Sequence, residues 1–433
     1  MVDIQPFKAT IINPEMMTEK LICPVYDTID EDYSRYAKEK NNIIHLTTRR
    51  KNMKLSEFIE NARNNLLRLR RSGILVERKQ AGFYIYGIMF TLPQEILAQL
   101  HEKDRKEKYF VFGLVALVRV EELGEGIVGH ENIFEINTKE RYELMKACMM
   151  NFSPITAEYS MSNHDLNNLF EEYLGLKRPE FKPNPKKSPI VDVTLDGFRH
   201  LLWEITDSKL ITRITEMMAG LKILILDGHH RYTASNLMKE RDGIEYTMMM
   251  LMEGGDKALL LLPWHRTVRN FSNKELDILI KQNFSVEWQS HENNEEFYSL
   301  LHQRKSRYEV KLGMYDGEKF SILKANENAV HKLSEKRGEA VGLDLIVLHE
   351  WLIDKLIKDA MEDVFFNASP SEAIARVDKG EFKIAFLLNP MSIQDVEKKA
   401  FEERKNFPQK STLFIPKVAE GIVMRRIELP YIS

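Results

Sequence analysis

Along the chain, short runs that are apolar at every position alternate with longer stretches in which apolar residues return every three or four positions. That is the pattern of buried strands packed against amphipathic helices. Phe58, Ile59, Ala62, Leu66 and Leu69 recur at helical spacing between Ser56 and Gly73, which predicts a packing helix capped by Ser56. Phe83 to Tyr86 and Tyr109 to Val120 read as strands. The second is almost continuous in β-branched and aromatic residues, so it belongs in the middle of a sheet. Glu140 to Met150 predicts a helix, and Asn151 to Tyr159, which contains Ser153-Pro154, returns to a strand pattern. Phe198 to Ile205 and Ile211 to Met218 read as helices. Tyr246 to Met252 and Ala258 to Leu262 predict a hairpin about Glu253-Gly254-Gly255-Asp256. Beyond it come an amphipathic helix from Asn273 to Gln282, a strand pair about Asp316-Gly317 and a helix from Leu343 to Ile357. Alternating strand and turn follow from Phe382 to Leu388 and from Gly421 to Ile427. The segment from Lys177 to Pro189, with four prolines and five basic residues, predicts an exposed connection.

The most hydrophobic strand leads into the most polar turn. Leu221 to Ala234 reads LKILILDGHHRYTA: an apolar run, the turn pair Asp227-Gly228, and then helix-compatible sequence that stops at Gly243. The spacing puts Asp227 at the N-cap and His229, His230 and Arg231 in the first turn. A helix N-terminus offers unpaired N–H groups and partial positive charge, glycine lets an anion approach the backbone, and arginine adds a planar fork. Phosphate is the natural guest. A single buried histidine is more often a satisfied core residue, but three donors in one turn with no apolar residue among them favour binding.

Composition narrows the partners. The 433 residues, 43% apolar and 29% charged, suit two or three globular domains, and a net charge of -3 with interspersed signs gives no footprint for wrapping nucleic acid. Cys23 and Cys148 stand far apart without metal-type spacing, the start lacks a leader pattern, and no apolar run approaches a membrane span. A cytoplasmic protein is expected, with no membrane and no nucleic acid as partner.

Further candidates are scattered along the chain. Tyr26 and Asp27 are placed to line a site. Gly124 to Gly129 matches GxGxxG, but Glu121-Glu122 precede it and no helical stripe follows, so it reads as a turn leading into His130-Glu131. That imidazole and carboxylate offer a base or a metal ligand, or else form a surface pair. His265-Arg266, at the end of a strand, either converge on the same anion or cap the surface. Lys410-Ser411-Thr412 mimics the tail of a Walker loop, yet Asn406 to Gln409 stand where its glycines would be.

Taken in order, these residues resemble the prokaryotic family catalogued as domain of unknown function 1015. The likeness rests on Pro6-Phe7-Lys8-Ala9, Pro24 to Asp27, His45, His130-Glu131, Ser153-Pro154, Asp227 to Arg231 with Ala234, and Leu262-Pro263 with His265-Arg266. It continues through Leu348-His349-Glu350, Leu388-Asn389-Pro390, and Pro408 to Thr412 with Phe414, Pro416-Lys417 and Gly421. Ile133 replaces the family's usual Thr, and Arg49-Arg50-Lys51 its Arg-Pro-Glu. These departures bear on a hydroxyl role at Ile133 and on how the N-terminal segment meets the usual ligand. The Asp-Gly-His-His-Arg element resembles the phosphate-binding element of the ParB/sulfiredoxin-like superfamily, whose members bind nucleotides and include CTP-binding clamps, a sulfinic acid reductase and a free serine kinase. Sulfiredoxin's cysteine in that turn has no counterpart here.

The resemblance implies an α+β fold: a mixed sheet with a strand–turn–helix anion-binding element in a ParB/sulfiredoxin-like core over residues 1–270, plus a smaller C-terminal α+β domain over 271–433. It implies a nucleotide-dependent, kinase-like phosphotransferase or phosphohydrolase acting on a small hydroxylated metabolite. The cofactors would be ATP or ADP, with Mg²⁺ held by phosphates and by Asp227. Gly228, His229, His230, Arg231, His265 and Arg266 would bind the cofactor, Asp227, Glu131 and His130 would be catalytic, and no protein-held metal is expected. A homodimer is left open. The alternatives are a metal-dependent hydrolase using Asp227, His229, His230 and His130, and a non-catalytic nucleotide sensor.

Overall fold

The computed structural model describes residues 2–429 apart from 30–32, 101–104, 133–134, 162–163, 179–186, 293–294, 307, 340–341, 359 and 409. Ile133 and the proline-rich middle of the 177–189 segment lie outside the described residues. The fold is α+β, and two large sheets organise it. The larger has nine strands. Its order is Val191–Leu195, Phe198–Ile205, Phe83–Phe90, Tyr109–Arg119, Tyr246–Glu253, Ile155–Tyr159, Ile223–Asp227 and Ile127–Val128, with Ile4–Gln5 also on Tyr109–Arg119. It is mixed. Tyr246–Glu253 runs parallel to Ile155–Tyr159, and Ile127–Val128 runs parallel to the motif strand Ile223–Asp227. Residues of Tyr109–Arg119 alternate between two cores. Val111, Val115 and Leu117 face one, and Phe112, Leu114, Ala116 and Val118 the other. Burial on both faces is why this strand carries no polar alternation.

Three expectations fail for identifiable reasons. Phe198–Ile205 is a strand and not a helix: Asp196 and Gly197, at φ +48° and +83°, form a two-residue turn that folds it against Val191–Leu195. Its partner on the other side is Phe83–Phe90. Burial on both faces gives it an apolar density that hides the period of two. Tyr246–Glu253 and Leu260–Leu262 make no hairpin with each other, because Leu260–Leu262 pairs with the distant Leu413–Ile415. The helix Leu55–Arg71 begins one residue before Ser56, with Lys54 at the N-cap.

The second sheet has six strands in the order Phe284–Ser290, Phe320–Ala325, Lys311–Tyr315, Ile384–Leu387, His265–Val268 and Val364–Asn367. Relative to the division expected after residue 270, His265–Val268 belongs to this C-terminal sheet. The end of the chain crosses back: Leu413–Ile415 pairs with Leu260–Leu262, Ala419–Glu420 with Cys23–Pro24, and Met424–Arg426 with strands near residues 9–12 and 150–151. This return lays residues 410–417 against the motif turn. Among the described residues no helix is long and apolar enough to cross a membrane.

Candidate functional site

The motif strand ends at Asp227 beside a bulge, and the helix His229–Asp242 follows directly, closed by Gly243 at φ +71°. Gly228, at φ +95°, and not Asp227, occupies the N-cap. A side chain there would be strained, and its Cβ would lie 2.9 Å from the Arg231 Nε. Asp227 is released from capping to bind cations. Its Oδ2 accepts from Arg231 Nη2 at 2.8 Å, and its Oδ1 accepts from the Lys417 ammonium. Burial alone would raise this carboxyl, but Lys417 and Arg231 outweigh it and hold it well below the usual carboxylate range.

The other motif side chains face inward. Arg231 donates from Nη1 to Ser153 Oγ at 2.8 Å and to the Pro154 carbonyl at 2.7 Å, and the Ser153 hydroxyl donates on to Glu420 Oε1 at 3.1 Å. His229 is buried, and its Nε2 accepts the His130 backbone N–H at 3.2 Å. Burial and the adjacent His130 push its pKa down, so it is a neutral acceptor at physiological pH. His130 is fully buried as well; Nδ1 donates to the Ile225 carbonyl at 2.8 Å, and Nε2 meets the Thr412 hydroxyl at 2.8 Å. Burial lowers its pKa too. Glu131 Oε1 receives the Ser411 and Thr412 backbone N–H groups at 3.1 Å each and the Thr412 hydroxyl at 2.8 Å. His130 and Glu131 therefore fasten the returning chain. Of the three motif donors only His230 is half-exposed, 3.5 Å from Thr138; burial lowers its pKa while Asp27 and Glu131 raise it.

His265 and Arg266 do not reach the motif turn. His265 Nδ1 accepts the Leu388 N–H at 3.2 Å. The fully buried Arg266 stacks on Phe366 at 4.6 Å and donates to the carbonyls of Trp264 and Lys410, the latter at 2.9 Å. Burial brings its pKa down to about 9. It supports the backbone on which Lys410 stands.

The returning strap, and not the motif turn, lines a cleft of about 670 Å³, which Lys417 connects to Asp227. Lys417, Lys410 and Asp27 line its polar side, and Trp264, Phe365 and Phe366 contribute aromatic surface. Lys410 Nζ lies 4.8 Å above the Trp264 ring and 3.3 Å from the Asp27 carbonyl. Neither lysine stood out in the sequence as a ligand. The one available signal was position: Lys410 in the Walker-like tripeptide, and Lys417 after Pro416. As for magnesium, both Asp227 oxygens are taken by cations, so that residue does not fit an Mg²⁺ ligand, whereas the Asp27 carboxylate lies in the cleft. No group of three metal-ligating side chains occurs among the described residues. His130 has both ring nitrogens engaged by protein atoms.

No curated protein matches the chain significantly. Solved structures with a similar course include a free serine kinase in complex with AMP, at 12% identity and TM-score 0.35, covering 72% of this chain and 94% of that one. A conserved hypothetical protein from Pyrococcus furiosus matches at 14% identity and TM-score 0.35, over 72% of this chain and all (100%) of its own. SbnI with a C-terminal truncation, from Staphylococcus aureus, matches at 11% identity and TM-score 0.37, over 71% and 85%. The profile of a family described as protein of unknown function (DUF1015) matches residues 4–345. That span contains the whole motif turn and most of both sheets, and the chain belongs to the DUF1015 family.

Proposed function

We propose that the protein binds a nucleotide in the cleft lined by Lys410 and Lys417 and transfers its phosphoryl group to a small hydroxylated acceptor. One observation carries this reading: Lys410 and Lys417 line the same cleft as Trp264, Phe365 and Phe366. Ammonium groups suit phosphates, and aromatic faces suit a base. Phosphoryl transfer asks mainly for positioning and neutralisation of charge, which the two lysines supply. Of the carboxylates lining the cleft, Asp196 is held by Arg35 and Tyr36 and Glu372 by the Ala368 amide, and Asp27 is the one we assign to take the acceptor proton.

The motif residues take different parts in this proposal from those the sequence suggested. Asp227 holds Lys417, Arg231 holds Asp227 and the Ser153-Pro154 turn, and Glu131 and His130 hold Ser411 and Thr412. They are positioning residues. Gly228 gives the strand-to-helix turn its left-handed conformation.

The test combines binding with turnover. Melting is followed with ADP and ATP, with and without Mg²⁺, and ³¹P spectra are recorded with ATP and a panel of hydroxylated metabolites. A melting rise with nucleotide and a new phosphomonoester signal support the proposal. Binding without turnover over the whole panel would leave a nucleotide sensor, and no melting rise with any nucleotide would overturn the reading altogether.

A further inference from the structure

A second cavity lies on the other side of the strap that carries Lys410. It has a volume of about 340 Å³ and sits where the C-terminal sheet meets residues 388–395 and 411. Consecutive residues of the strap face different spaces: Lys410 lines the first cleft and Ser411 the second cavity. The second cavity is amphoteric. Asp344 lines it from the start of helix Leu343–Leu348 and is only 8% exposed. Its Oδ2 accepts from the Arg304 guanidinium and, at 3.4 Å, from Asn389 Nδ2. Its Oδ1 is buried and has no hydrogen-bond partner among the described residues. Arg304 keeps a 30% exposed side chain at the cavity wall with only Nη2 committed to Asp344. Asn389 is held by His302 at 2.8 Å through its Oδ1, while its amide makes only long bonds, the second to the Lys311 carbonyl at 3.3 Å. Leu343, Leu388 and Met391 supply apolar wall.

A buried carboxylate oxygen without a donor is costly, so a ligand that brings an N–H to it is favoured over one that does not. Such a donor must be small enough for the cavity. A guanidinium with free N–H groups beside the same carboxylate selects for a carboxylate on the same ligand. We propose that this cavity is a binding site for a free amino acid, its ammonium on Asp344 Oδ1 and its carboxylate on Arg304, with the side chain against Leu343, Leu388 and Met391. The site is separate from the nucleotide cleft and stands whether or not that cleft binds nucleotide.

Titration calorimetry on the full chain tests it, with a panel of free amino acids, their N-acetyl derivatives and their amides. At least one free amino acid is expected to bind, with affinity falling at least tenfold when its ammonium is acetylated or its carboxylate amidated. Asp344→Asn and Arg304→Gln should each weaken that binding at least tenfold while leaving any melting rise with ADP in place. Arg304 is partly exposed, so its variant decides the matter if Asp344→Asn fails to fold. Failure of every amino acid to bind the parent chain, or binding that both derivatives and the Arg304→Gln variant retain, overturns the proposal.

Discussion

The motif turn and the strap that returns to it divide the work of one site in opposite ways. Residues 227–231 carry the more conspicuous chemistry, yet His229 and Arg231 are spent on a backbone carbonyl, a hydroxyl, an amide and a carboxylate inside the protein. Residues 410–417 carry only two cations of note, and both line the cleft. The link between them is Asp227, half-buried and gripped by Arg231 from its own helix and by Lys417 from the strap. Density of functional groups along a sequence therefore marks the scaffold here, and the groups facing the cleft come from far away in the chain.

The sharpest way to break this comparison is to remove its link. Asp227→Ala leaves the buried Arg231 and the half-buried Lys417 without their carboxylate, and leaving a buried cation such as Arg231 unpaired costs about 3–5 kcal/mol. Urea unfolding should show a loss of that size. A drop under about 1 kcal/mol would mean that the turn and the strap are not tied through this residue.

A pH series contrasts Asp227 with a carboxyl on the neighbouring strand of the same sheet. Glu158 is buried without a cation, and burial, helped by Glu397, raises its pKa to about 8. Asp227 is depressed in the folded state, so its contribution is present above the unfolded value near 4 and is lost as pH falls through the folded one. Glu158 is raised, so its contribution is full below the unfolded value near 4 and is lost as pH rises through about 8. Glu158→Gln should accordingly gain about 4 kcal/mol over the parent at pH 8 and nothing at pH 4, measured by urea unfolding at both. An equal effect at the two pH values would contradict the raised pKa.

On the strap side, Trp264→Leu should weaken ADP about tenfold and leave inorganic pyrophosphate unchanged, because only the base loses its stacking surface. Equal loss of both ligands would place the aromatic wall elsewhere in the chemistry. The smallest effect is expected at Thr412, whose hydroxyl joins Glu131 to His130. Thr412→Val should cost about 1 kcal/mol in urea, and a change of several kcal/mol would make the link behind the strap as important as Asp227.

Much of this was legible in the sequence, and the remainder was hidden for physical reasons. The strand–turn–helix at 223–242 follows from local signals: an apolar run, Asp-Gly and a closing glycine. The central strand Tyr109–Arg119 follows from its unbroken hydrophobicity. Local signals do not say which way a polar side chain turns, and so Arg231 and His130 read as ligand groups although their partners, Ser153 and Thr412, come from distant segments. Phe198–Ile205 was misread because burial on both faces removes alternation; the better cue was Asp196-Gly197 between two short apolar runs. Lys417 had only its place after Pro416 as a sign, since its role exists only once Ala419–Glu420 has paired with Cys23–Pro24.

The central claim is that the strap's cations hold the phosphates of a nucleotide. Lys410 is the cleaner probe of the two, because Lys417 also supports Asp227. Calorimetric titration of ADP into the parent and into Lys410→Gln tests it directly. The account predicts a measurable isotherm for the parent and at least a tenfold weaker one for the variant at unchanged stability. Equal affinity in the two proteins, or no binding to the parent, would contradict it.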